Sequence, residues 1–264
     1  MHLTSTDGTL IGYETRGAGP AVVLVDGALC HRGGGPMRPL AAELSDDATV
    51  LLYDRRGRGE SGDTSPYAVE REIDDLAVLV DAAGGAAVLV GISSGGALAL
   101  LAAGRLGAER VPALAVYEPP YLPEELSATL ARYPDELGAA LARSDRDLAV
   151  TLFLRQVGLP EPAIAGARQS PDWAGMTALA PTLGYDAAVM GDSAVPADLA
   201  RALEVPLLAL AGGASPDFLQ YGARTLAGLA VRGEFDVLPG QGHQADPAVL
   251  GARLRSFMRD WAGG

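Results

Sequence analysis

The stretch Val88-Leu89-Val90-Gly91-Ile92-Ser93-Ser94-Gly95-Gly96 runs without a linker into Ala97-Leu98-Ala99-Leu100-Leu101-Ala102-Ala103. An apolar run of strand length is cut by a glycine-flanked serine, and an alanine- and leucine-rich helix follows at once. So tight a turn holds its apex residue in strained backbone geometry and tolerates only small neighbours two positions away on either side. Gly91 and Gly95 supply those neighbours for Ser93; Ser94 would need a small residue where Ile92 stands. The strain lifts one side chain above the sheet with a helix N-terminus beneath it. Ser93 is therefore the candidate nucleophile.

Outward from this turn the chain alternates strand-like and helix-like segments. Apolar runs at Ala21–Val25, Thr49–Tyr53, Ala86–Val90 and Ala113–Tyr117 read as buried strands, and Leu10–Glu14 as a strand paired through a turn at Asp7-Gly8. Met37–Leu44, Val69–Ala82 and Ala97–Leu106 carry helical patterns between them. Apolar strands alternating with helices imply an α/β fold, a mostly parallel sheet covered on both faces. From Tyr121 to Ala197 the strand-like runs vanish and Pro, Trp, Met and Tyr appear among short helical segments. The expected organisation is a core over 1–120, a helical lid over 121–197 and a second core portion over 198–264. That last portion holds Leu207–Ala211, Gly233–Leu238 and a closing helix from Pro247 to Trp261.

Composition narrows the function classes. The 264 residues are 48% hydrophobic and 20% charged, as in an ordinary globule with a large core. A net charge of −13 and the lack of any basic stripe argue against nucleic acid and anionic membranes. Every basic residue counted is arginine, which excludes Schiff-base lysine chemistry and a P-loop. Cys30 is the single cysteine, so no disulfide and no thiolate metal cluster is expected. With no signal-peptide pattern and no apolar run near the roughly 18–20 residues of a membrane span, the expected location is the cytoplasm.

A serine needs a base, and histidine is the usual one near neutral pH. Of His2, His31 and His243, the last sits between the final strand and final helix, in Pro239-Gly240-Gln241-Gly242-His243-Gln244. Loops following parallel strands gather along one sheet edge, where Ser93 also projects.

With these residues in place the chain resembles the α/β-hydrolase fold, and Asp54-Arg55-Arg56-Gly57-Arg58-Gly59-Glu60-Ser61-Gly62 is similar to the loop after that family's fourth strand. The resemblance spans nearly the whole chain apart from the insertion. It implies a catalytic triad whose acid usually follows the seventh strand, three residues after a glycine. Counting from Gly212 or Gly213 gives Ser215 or Pro216, with Asp217 nearby but displaced. Some members carry the acid after the sixth strand, as zearalenone-type lactonases and some haloalkane dehalogenases do. There this chain has Glu118, at the end of an apolar run, 25 residues beyond Ser93 and followed by two prolines. Glu118 is favoured over Asp217, which stays open as a helix N-terminal acid.

The resemblance also implies an oxyanion hole from the backbone N–H groups of Ser94 and Ala28, with Leu29 a near alternative. The loop reads Asp26-Gly27-Ala28-Leu29 where the family usually has His-Gly. The lid's Tyr121, Phe153, Trp173, Met176 and Tyr185, together with Leu29, are candidate substrate-pocket residues. Arg55, Arg56 and Arg58 are expected to form a solvated loop, and Gly33-Gly34-Gly35 lacks the context of a phosphate cradle.

The expected activity is a serine hydrolase acting on a small-molecule ester or lactone, without metal or organic cofactor. The partner is a small-molecule substrate; neither nucleic acid nor membrane is expected, and the oligomeric state is not legible. The alternative is a non-hydrolytic ligand-binding or tailoring protein, a cyclase or a C–C bond-cleaving enzyme, on the same scaffold.

Overall fold

The computed structural model describes residues 1–130 and 132–262. Ala131, within the helical segment, and Gly263-Gly264, at the end of the second core portion, lie outside the described residues.

The strands are β1 (His2–Thr4), β2 (Leu10–Arg16), β3 (Ala21–Val25), β4 (Thr49–Tyr53), β5 (Val88–Ile92), β6 (Leu114–Tyr117), β7 (Leu207–Gly212) and β8 (Gly233–Leu238). They form one sheet in the order β1-β2-β4-β3-β5-β6-β7-β8. β1 and β2 pair antiparallel, as do β2 and β4, while β3 to β8 run parallel. Parallel neighbours need crossovers, and helices lie in them: α1 (Met37–Leu44), α2 (Val69–Ala82), α3 (Ser94–Leu106) and α11 (Asp217–Leu229), while α12 (Pro247–Ala262) follows the last strand and closes the chain's helical layer.

β3, β5, β6 and β7 are apolar because both sheet faces are covered. On one face Val23, Leu89, Leu114 and Leu207 pack with Leu76, Leu98 and Leu226 from α2, α3 and α11. On the other, Leu24, Val90, Ala115 and Leu208 pack with Leu40, Leu44, Leu250 and Leu254 from α1 and α12.

Between β6 and β7 the chain forms α4 (Glu124–Leu130), α5 (Tyr133–Ala142), α6 (Arg146–Gln156), α7 (Glu161–Arg168), α8 (Trp173–Leu179), a 3-10 turn (Ala180–Thr182), α9 (Leu183–Met190) and α10 (Ala197–Ala202). This segment has its own apolar cluster, with Leu137, Val150, Leu154, Ile164 and Leu183 at its centre. Ala28 and Leu29, from the loop after β3, pack against that cluster and join the helical segment to the sheet edge where Ser93 sits.

Candidate active site

Ser93 occupies the turn between β5 and α3 with φ 56° and ψ −132°, outside the backbone regions normal for a side-chain-bearing residue. The flanking glycines are sterically required. A Cβ on Gly91 would lie 2.4 Å from the Gly95 carbonyl oxygen, and one on Gly95 would lie 2.3 Å from the Val25 carbonyl oxygen. The turn is pinned to the next strand by the Ser93 N–H, which donates to the Tyr117 carbonyl at 2.9 Å. The loop after β3 runs alongside: a Cβ on Gly27 would lie 3.0 Å from Ser93 Cβ and 3.7 Å from its Oγ.

Glu118 follows the last residue of β6 and also holds a positive φ, 47°. Its N–H stays in the sheet, donating to the Leu210 carbonyl at 2.9 Å, while its side chain is wholly buried. A buried carboxylate needs hydrogen-bond donors, and it has two. The Gly212 N–H donates to Oε1 at 2.7 Å, and His243 Nδ1 lies 2.6 Å from Oε2. With Nδ1–H directed at the carboxylate, Nε2 is the nitrogen left to act as base. The histidine loop is held from below by Tyr117, whose hydroxyl donates to the Gly242 carbonyl at 2.5 Å.

Asp217 does not reach this centre. It is the exposed first residue of α11, beside Pro123, Phe218 and Tyr221 on the surface. Ser215 is buried with no partner for its hydroxyl. His31 accepts from the Gly33 N–H through its own Nδ1 at 3.1 Å and bridges to Gly34, so it closes its own turn.

The arginines after β4 correct the expectation of a solvated loop: Arg55, Arg56 and Arg58 are 1%, 0% and 1% exposed. Arg55 is bidentate to Glu72 and Arg56 to Asp75, both acids on α2. Arg58 pairs with Asp186 on α9 at 2.6 Å. Guanidinium groups can be buried here because each meets a carboxylate, Arg55 and Arg56 in bidentate fork geometry and Arg58 through one arm. A solitary acid in the apolar stretch Leu183-Gly184-Tyr185-Asp186-Ala187-Ala188 was the sequence signal that an internal cation needed a partner.

Tyr121 is buried as well. At 3% exposure it packs in the apolar cluster on the sheet's α11 side. Tyr185 stacks on Tyr67 at 3.8 Å and donates to Asp63, which commits both its ring and its hydroxyl. Trp173 lies beside Arg168, with its indole N–H donating to Asp147. Both contacts border an open cleft of about 740 Å³ between α6, α7 and α8 whose lining includes none of Ser93, Glu118 or His243. Phe153, Met176, Leu29 and Ala28 are partly buried against the same apolar cluster of the helical segment.

Asp26, at the root of the loop after β3, is a residue to which sequence reading gave no role of its own. It is 3% exposed and its Oδ1 has no hydrogen-bond partner. Burial pushes its carboxyl up to about 7, even though Arg58 and Arg55 pull the other way. The adjacent Cys30 thiol is pushed up to about 12 by burial and by the Asp26 charge. Among the described residues no three His, Cys, Asp or Glu side chains converge as a metal-binding set, and no helix is long and apolar enough to cross a membrane.

A strained serine between a parallel strand and a helix, with a histidine–carboxylate pair on the same sheet edge, defines an α/β-hydrolase architecture. The chain belongs to the Alpha/beta hydrolase family, whose pattern matches residues 22–253. It is 45% identical to an alpha/beta hydrolase from Sphaerobacter thermophilus, over 98% of this chain and 100% of that one, with a TM-score of 0.90. It is 26% identical to a thermophilic esterase from Thermogutta terrifontis, over 99% and 98% of the two chains, at a TM-score of 0.74. An enol-lactonase from Burkholderia xenovorans shares the fold at 22% identity and a TM-score of 0.63, over 100% of both chains.

Proposed function

We propose that this protein is a serine hydrolase that cleaves a small-molecule carboxylic ester or lactone through an acyl-enzyme. The observation that carries the reading is the 2.6 Å contact between His243 Nδ1 and the buried Glu118 carboxylate, on the sheet edge from which Ser93 projects. The similarity to an esterase at 26% identity supports ester chemistry.

Ser93 Oγ attacks the carbonyl carbon while its proton passes to His243 Nε2. Glu118 stabilises the imidazolium that forms and holds the ring in the correct tautomer. The N–H groups of Ala28 and Ser94 hold the developing oxyanion, an interaction whose loss typically costs about 3 kcal/mol. The tetrahedral adduct collapses, and the leaving alcohol takes the proton from His243; in a lactone that alcohol stays tethered to the acyl group. Water then attacks the acyl-enzyme with His243 as base and frees Ser93. The apolar side chains of Leu29 in the oxyanion loop and of Phe153 and Met176 in the helical segment, all packed against that segment's apolar cluster, supply the acyl side of the pocket in this reading.

A fluorophosphonate tests this reading, followed by a screen of p-nitrophenyl esters and lactones. One adduct per chain is expected, mapped to the Ser93 peptide and absent in Ser93→Ala. Labelling at Ser94, or no labelling of the folded protein, overturns the hydrolase reading in favour of the ligand-binding or tailoring alternative.

A further inference from the structure

Helix α9 of the lid sends one carboxylate down to the nucleophile turn. Asp186 is 5% exposed, and its Oδ1 accepts from Ser94 Oγ at 2.7 Å and from Arg55 Nη1 at 2.7 Å. Its Oδ2 accepts from Arg58 Nη2 at 2.6 Å. The second arm of Arg58 reaches the loop after β3, where Nη1 donates to the Gly27 carbonyl at 2.5 Å and the Cys30 carbonyl at 3.3 Å. Arg55 Nη1 also reaches the Asp26 carbonyl, at 3.3 Å. One carboxylate thus ties together the residue after the nucleophile and the carbonyls on both sides of Ala28 and Leu29.

The chemistry requires an acid at this position. Two buried guanidinium groups converge on it, and a neutral side chain would leave one charge uncompensated. Burial alone would raise the Asp186 carboxyl, but Arg58, Arg55 and the Ser94 hydroxyl outweigh it and hold it below the usual carboxylate range. The ring closes through Tyr67, which donates to Glu72, the other partner of Arg55, and stacks on Tyr185 next to Asp186. Leu29 sits at φ 56°, so the loop that Arg58 grips is itself strained and depends on outside contacts for its shape.

Resting on the serine-hydrolase reading above, we propose that Asp186, acting through Arg58 and Ser94, is a positioning residue that sets the spacing of the two oxyanion donors. The seat of lid helix α9 is thereby coupled to stabilisation of the transition state. A donor must sit within hydrogen-bond reach of the place the oxyanion will occupy, not the ground-state carbonyl. Loosening this tie therefore lowers kcat while leaving KM largely alone.

The test compares Asp186→Asn, Ser94→Ala and Asp75→Asn on a p-nitrophenyl ester, with active sites counted by phosphonate titration so that unfolded chains drop out. Asp75 holds the neighbouring buried Arg56 at 2.7 Å and does not touch the oxyanion loop, so its variant reports stability alone. Because complete loss of one oxyanion donor costs about 10²–10³ in kcat, a displaced pair is expected to cost Asp186→Asn about 10–100-fold. KM should stay within about threefold. Ser94→Ala, which removes one arm only, is expected to lose about 3–10-fold. Asp75→Asn should lower Tm and keep kcat per titrated site within about twofold. If Asp186→Asn does not fold, Ser94→Ala decides. Wild-type kcat in both site variants, or an equal fall in Asp75→Asn, overturns the inference while the hydrolase reading stands. A wild-type chain that takes no phosphonate overturns both.

Discussion

Glu118 and His243 meet at 2.6 Å although 125 residues separate them, and each is delivered by its own device. Glu118 leaves β6 through a positive-φ turn that buries its carboxylate behind the Gly212 N–H. His243 is carried in by a loop whose preceding carbonyl is fastened to Tyr117.

Glu118→Gln keeps the size of the side chain and removes the charge opposite the imidazolium. Loss of the corresponding acid in a triad costs about 10⁴-fold in turnover, and a fall of several orders of magnitude in kcat is expected, with Tm little changed. Asp217→Asn should stay within about tenfold of wild type, since that carboxylate is exposed at the start of α11. Steady-state kinetics with the ranking reversed would move the acid to Asp217.

His243→Ala should fold and lose at least about 10³-fold in kcat, because His243 is the histidine that pairs with the buried Glu118 carboxylate. His31→Ala should retain most activity, since that ring closes the turn to Gly33 and Gly34. An inactive His31→Ala alongside an active His243→Ala would refute the assignment of the base.

Tyr117→Phe removes one hydroxyl and leaves the Gly242 carbonyl without its 2.5 Å donor. A single such bond contributes about 1 kcal/mol, so a small drop in Tm is expected. The loop bearing the base also loses its anchor, and kcat should fall about 3–10-fold with KM unchanged. Identical kcat in the two proteins would show that the loop is positioned by other contacts.

Asp26 gives the protein a pH dependence of known sign. Its carboxyl moves from 3.8 to about 7 on folding, so below about pH 4 both folded and unfolded chains hold its proton. Between there and about pH 7 the unfolded chain releases the proton and the folded chain keeps it. Stability contributed by the neutral acid is lost across that window and then levels off. The displacement corresponds to about 4 kcal/mol at most. Urea midpoints of Asp26→Asn should match wild type near pH 4 and exceed it near pH 8; a difference that does not change with pH would sink this account.

The strands and helices of the sheet were legible because each is a local pattern. β3 and β4 begin and end where their apolar runs do, and α1 and α2 where their periodicity does. β5 and α3 moved by two or three residues because the sharp turn at Ser93 lets strand and helix meet with nothing between them. Ser93 itself was legible because backbone strain writes its requirement for small neighbours directly into the sequence.

The arginines were misread because burial depends on partners that sequence distance hides. Arg58 and Asp186 are 128 residues apart, and an Arg-rich Gly-containing loop looks solvated until carboxylates on α2 and α9 close over it. The burial of Tyr121 was hidden in the same way, since an aromatic just past a strand end faces inward or outward according to packing alone.

The sequence by itself determined the α/β layering, the strained serine and the late histidine, because these depend on periodicity and backbone sterics within a few residues. Only the tertiary structure shows which of Glu118 and Asp217 reaches His243. Either lies near a strand end in sequence, but a carboxylate can orient an imidazole only at hydrogen-bond distance, and the fold brings Glu118 alone to 2.6 Å.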